Sequence, residues 1–81
     1  MDRWRLRRGI PYRMEHQGEA LLVGINDLTP DRVTFTVNVD GVPRDTFALG
    51  VGETARIAGR PYTVVAIDAD GPGFADLEAR A

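Results

Sequence analysis

Val33, Phe35, Val37 and Val39 alternate with Thr34, Thr36 and Asn38, and Asp40-Gly41 follows at once. A period of two puts the four large apolar groups on one face of an extended chain and the polar groups on the other. A helix would scatter both sets around its circumference, so the stretch is an antiparallel strand with one buried face. Asp-Gly is the dipeptide of a tight hairpin turn, so the chain reverses after Val39 into a second strand over Arg44–Leu49.

The same pattern recurs along the chain. Trp4 and Leu6 alternate with Arg3, Arg5 and Arg7 as a first, half-buried strand, which Gly9-Ile10-Pro11 breaks. Tyr12 to Met14 form a short edge segment before a turn at Gln17-Gly18. Ala20 to Asn26 are apolar on both faces, which predicts a strand that is central or covered on both sides. Asp27 to Asp31 read as a loop, with Pro30 fixing one φ. From Phe47 to Ile67 the spacing predicts three short antiparallel strands, framed by Gly50-Val51-Gly52-Glu53 and by Ala58-Gly59-Arg60. Tyr62 and Val64 are out of phase with Ile67 unless a bulge falls near Val65-Ala66. Asp68 to Gly73 form a turn or short loop, and Ala75, Leu77 and Ala79 alternate with charged residues in a closing strand. Every window with helical spacing is interrupted by Gly or Pro. One all-β domain over residues 1–81 is expected, a small antiparallel β-sandwich or partly open barrel of seven or eight short strands.

Composition limits what such a domain can do. A chain of 81 residues buries only about two-thirds of its unfolded surface, so its sheet edges need cover, and a protein partner or a second copy is the natural source. Cysteine is absent, which leaves no disulfide framework and no thiolate metal site. No apolar run approaches the ~18 residues of a membrane helix, and the opening residues lack the apolar core of a secretory signal. A cytoplasmic, non-membrane protein is expected.

The usual catalytic letters are sparse. There is no serine, and Gly50–Thr54 is followed by no lysine and no helix, so it makes no phosphate cradle. Asp68-Ala69-Asp70-Gly71 opens like a calcium loop, but Pro72 and Ala79 stand where a third ligand and a bidentate glutamate belong. His16 is the sole histidine, and it would have to work with Asp68 or Asp70 to support acid–base chemistry. No enzyme activity, cofactor or metal is expected.

Charge is unevenly spread. Residues 1–14 hold five arginines and one aspartate, a net of +4, whereas residues 15–81 hold five arginines and eleven acids, a net of −6. Arg3, Arg5 and Arg7 recur at every second residue, about 7 Å apart, with Arg8 beside them. Trp4 and Tyr12 lie close by in sequence. These six residues are the candidate binding surface, with phosphate contact and base stacking as the chemistry they would offer. The acidic remainder argues against nucleic acid. A cross-strand match of the arginines with Asp76 and Glu78 accounts for the ladder more simply. A second candidate is a barrel mouth or sheet face lined by Tyr12, Tyr62, Phe74 and nearby arginines that holds a small flat or anionic molecule.

Leu6–Pro11 (LRRGIP), Leu49–Thr54 (LGVGET), Gly59 with Tyr62, and Phe74–Arg80 together resemble a group of small actinomycete proteins classed as a domain of unknown function. That group reads as Leu-Arg-x-Gly-Ile-Pro, then Leu-x-x-Gly-Glu/Asp-Thr, then glycine before an aromatic and a closing strand. The likeness spans nearly the whole chain, with Tyr62 standing where tryptophan is commoner. It implies an actinomycete, all-β, cytoplasmic protein without assigned activity, and no catalytic residues to carry over. The function expected from these readings is a non-catalytic protein-interaction or self-assembly module. The alternative is a small-molecule or nucleic-acid binding barrel that uses the N-terminal arginine strand.

Overall fold

A computed structural model describes residues 3–80. Eight strands follow in order: β1 (Arg3–Arg7), β2 (Tyr12–His16), β3 (Glu19–Thr29), β4 (Arg32–Val39), β5 (Val42–Leu49), β6 (Thr54–Ile57), β7 (Arg60–Asp68) and β8 (Phe74–Ala79). They form two four-stranded antiparallel sheets packed as a sandwich. The first sheet runs β1-β8-β7-β6 and the second β2-β3-β4-β5. Every strand lies beside its sequence neighbour or, for β1, beside β8. The order is therefore up-and-down, interrupted at two seams, β1 to β2 and β5 to β6.

The inner faces follow from the alternation. Leu6, Val23, Val33, Phe35, Val64, Ala75 and Leu77 have no exposed surface. The turn after β4 is the expected one: Asp40 and Gly41 both take positive φ, 52° and 80°, and their twist matches that of the flanking strands. Two extra residues adjust phase. Val65 is skipped between the pairs Val64↔Leu77 and Ala66↔Asp76, so Ile67 turns inward as the sequence predicts. Asn26 plays the same part between Ile25 and Asp27.

That second bulge overturns the reading of Asp27–Asp31 as a loop. Asp27, Leu28 and Thr29 continue β3 and pair with Thr34, Val33 and Arg32, leaving only Pro30-Asp31 to turn. The bulge resets the phase so that Leu28 reaches the core, a gain that outweighs its polar neighbours' preference for a loop. β3 is central in its sheet, but only its inner face is covered by the other layer; Leu22 and Gly24, on the outer face, stay half-exposed.

The Phe47–Ile67 stretch is also redrawn. It is not one three-stranded unit, because Phe47–Leu49 belong to the second sheet and β6 and β7 to the first. Gly50–Glu53 is the crossing between layers. Glu53 N–H donates to the Gly50 carbonyl (3.1 Å), closing a tight turn. Gly52 N–H then donates to Val64 O (2.8 Å), and Val64 N–H to Glu53 O (3.0 Å), which ties the segment to β7.

Candidate functional site

The arginine strand lies at one edge of the first sheet, in register with β8: Arg3 opposite Glu78, Arg5 opposite Asp76, Arg7 opposite Phe74. Two of the guanidinium groups are already committed. Arg5 donates to both carboxylate oxygens of Asp76 at 2.8 and 3.2 Å, and Arg3 reaches the same carboxylate at 3.5 Å. The expected cross-strand match is present, but with Asp76 as its centre. Glu78 turns away to Arg80 at 3.6 Å. Asp76 sits on the outer face, yet its side chain is only 7% exposed, because the arginine stems fold over it.

This geometry fixes the acid response. The Arg5 hydrogen bond holds the Asp76 carboxyl below its usual 3.8, against the opposing effect of burial, and Asp76 in turn raises Arg5. A carboxyl depressed in the folded state contributes stability that is complete above its unfolded pKa and is lost as pH falls through the lower folded value. Asp76→Asn should therefore lower the melting temperature by several degrees at neutral pH. That gap should close below pH 3.8. A gap of constant size down the whole acid limb, followed by circular dichroism, would refute the assignment.

Trp4 offers no stacking surface for bases, and Tyr12, though 36% exposed, already stacks on Trp4. Trp4 faces the core at 8% exposure. Its ring stacks on Tyr12 (centroids 4.3 Å apart, 16° between planes) and meets Tyr62 edge-on at 5.4 Å. The three rings close the β1–β2 seam against one another, so Tyr12 and Tyr62 do not line a mouth. Phe74 lies apart from them on the outer face, under the Arg5 guanidinium at 3.8 Å. Of the four sequence-picked arginines, only Arg7 and Arg8 keep side chains without a hydrogen bond or ion pair to any described residue.

His16 closes the opposite end. It packs so tightly on Gly59 that a Cβ there would stand 3.0 Å from the His16 Cε1. A cleft of about 210 Å³ beside it is bordered by Glu19, Arg44, Asp45 and Arg56. Their polar groups are largely spent: Arg44 grips both oxygens of Glu19 at 3.4 Å, and Arg56 donates to Gly59 O at 2.7 Å. Asp68 and Asp70 are at the far end of β7, eight residues or roughly 26 Å along the strand, so they form no pair with His16. Asp68 instead accepts the Asp70 N–H at 2.9 Å, as a turn-forming aspartate does.

One surface was not singled out by sequence. The outer face of the second sheet presents Ala20, Leu22 and Gly24 on β3, Thr34, Thr36 and Asn38 on β4, and Thr46 and Ala48 on β5. No charge falls among them. Thr36 links to Asn26 and to Thr46 (3.1 Å) in a hydroxyl–amide row. Charged groups border it directly: Arg13 and Glu15 on β2 stand opposite Leu22 and Ala20, Asp27 on β3 stands opposite Thr34, and Arg32 flanks the β3–β4 turn. The signal was present in the uncharged polar half of the Val33–Val39 alternation. Among the described residues, no helix is long and apolar enough to cross a membrane, and no cluster of His, Asp and Glu is placed to hold a metal ion. No family model, curated protein or solved structure matches the chain.

Proposed function

We propose that the protein is a non-catalytic β-sandwich module that acts by binding protein, and that its partner is a second copy of the chain. The observation that carries this reading is the uncharged outer face of β3, β4 and β5. In a chain that is 27% charged, an outward patch of eight uncharged residues across three strands, bordered but not interrupted by charge, is suited to being covered. A charged partner would bury its ions there without counter-ions, a strongly unfavourable exchange. A second copy brings none. Hydroxyl and amide groups both donate and accept, so the more exposed Thr34, Asn38 and Thr46 can pair with their counterparts across a two-fold axis.

Size supports the same partner. The domain is a slab of 35 × 27 × 17 Å, and its broad face is comparable with the ~800 Å² that each member of a stable dimer buries. Sedimentation equilibrium should find a dimer at concentrations up to about 200 µM, with Leu22→Arg weakening it about 100-fold or more by placing an unpaired charge in the interface. Leu22 points outward, so the variant keeps the far-ultraviolet spectrum of the parent. A wild-type chain that stays monomeric across that range would defeat the proposal.

A further inference from the structure

Most of the described arginines have partners within the fold. Arg3 and Arg5 hold Asp76, Arg44 holds Glu19, Arg80 meets Glu78 and Thr63, and Arg32 and Arg56 cap the Ala48 and Gly59 carbonyls. Arg7 and Arg8 are consecutive, have no such partner among the described residues, and border the same cleft. Its volume is about 310 Å³, and its other walls are Ile10, Asp70, Pro72 and Phe74. Ile10 is 63% exposed, an apolar group held in contact with water at the rim of the cleft.

The walls are fixed by the fold. Ile10 N–H donates to Arg7 O and closes the β1–β2 turn, and Arg8 N–H donates to Gly73 O and ties that turn to the start of β8, both at 3.2 Å. Phe74 is covered on one side by Arg5, itself anchored on Asp76, so the ring is a supported plate. Two guanidinium groups against Asp70 leave one surplus positive charge, which matches a monoanion. The planar fork of arginine suits the two oxygens of a carboxylate. The volume lies at the lower end of the range for ligand sites.

We infer that this cleft binds a small carboxylate with an apolar body, the carboxylate on Arg7 and Arg8 and the body against Ile10, Pro72 and Phe74. The site is on the opposite layer from the proposed dimer face and stands whether or not that face is occupied. Its test is a titration of the ¹⁵N-labelled full chain with 3-phenylpropionate, 3-phenylpropanamide and inorganic phosphate in parallel. Phenylpropionate should give saturable shifts at the Ile10, Gly71, Gly73 and Phe74 amides, with Kd on the order of 1 mM.

The neutral amide and phosphate should each bind about tenfold more weakly or worse, since the first lacks the charge and the second the apolar contact. Arg7→Gln combined with Arg8→Gln should weaken phenylpropionate by a similar factor. Ile10→Ser should weaken phenylpropionate and leave phosphate unaffected. Arg13→Gln, which removes one positive charge from the other layer, should change nothing. The inference is overturned by shifts that do not saturate or fall elsewhere, by an amide or phosphate that binds as well as the carboxylate, or by an Arg13→Gln loss equal to that of the Arg7 and Arg8 pair.

Discussion

Trp4→Ala should cost the fold about 3–5 kcal/mol, the range for removing a large buried aromatic. A domain of this size has roughly 4–12 kcal/mol in total, so the variant should be near the edge of folding. The effect is concentrated at Trp4 because of where it lies. Between β1 and β2 there is no ladder of hydrogen bonds, only the single bridge Arg7↔Ile10. The layers meet there through the Trp4–Tyr12 stack and the Tyr62 edge, worth about 0.5–1.5 kcal/mol per ring pair beyond the area they bury.

Trp4→Phe separates ring packing from the indole's polar group. Trp4 Nε1 is buried without a hydrogen-bond partner among the described residues, and such a donor costs about 1–3 kcal/mol. Phenylalanine loses area but also removes that penalty, so it should cost less than half as much as alanine. Urea unfolding followed by circular dichroism measures both, since the sole tryptophan is lost as a fluorescent reporter. A Trp4→Ala cost under about 1 kcal/mol would show that the aromatic seam contributes little, since full burial of one large side chain alone exceeds that.

Gly73→Ala should cost about 2–4 kcal/mol, combining left-handed backbone strain with overpacking. Gly73 has φ +84° and is buried, and a Cβ on it would overlap Leu28 Cδ2 and stand 3.0 Å from the Asp68 carbonyl oxygen. Leu28 can move its terminal methyl, but the carbonyl is fixed by the turn after β7. Gly41→Ala is the control. Its φ is +80° with nothing within 4 Å of the added carbon, so it should cost only the backbone share, about 1 kcal/mol. Equal losses at the two positions, by the same urea measurement, would rule out crowding at Gly73.

Local signals carried most of the fold. Strand alternation, the Asp40-Gly41 turn and the phase slip at Val65 each depend on residues a few positions apart, and each was legible. Asp27–Asp31 was not, because one inserted residue at Asn26 changes which side chains face inward and rescues Leu28 for the core. Gly50–Glu53 misled for a different reason. A glycine-rich turn has the same letters whether the chain returns beside the strand it left or crosses to the facing layer. That choice is made by the β7 groups that receive it.

The candidate site shows the same limit. Arg3, Arg5, Arg7 and Arg8 are indistinguishable as a sequence ladder. Asp76 and Phe74, some seventy residues away, decide which of them are neutralised and which remain open. The uncharged face of the second sheet was visible strand by strand in Thr34, Thr36 and Asn38. Only the register that brings Leu22 and Thr46 beside them makes it a surface.

The placement of β1 beside β8 has a bearing on cooperativity. All other paired strands are joined by short connections, so their loop-closure entropy is small. The β1–β8 pairing, whose Arg3–Asp76 contact spans 73 positions, carries the largest closure term of the domain, though one that grows only logarithmically with length. The second sheet consists entirely of consecutive hairpins, but its inner face stays bare until the other layer arrives. That layer in turn lacks its first strand until the beginning of the chain returns to its end. Neither layer is a self-sufficient unit, and all-or-none behaviour is written into the order in which the strands are strung.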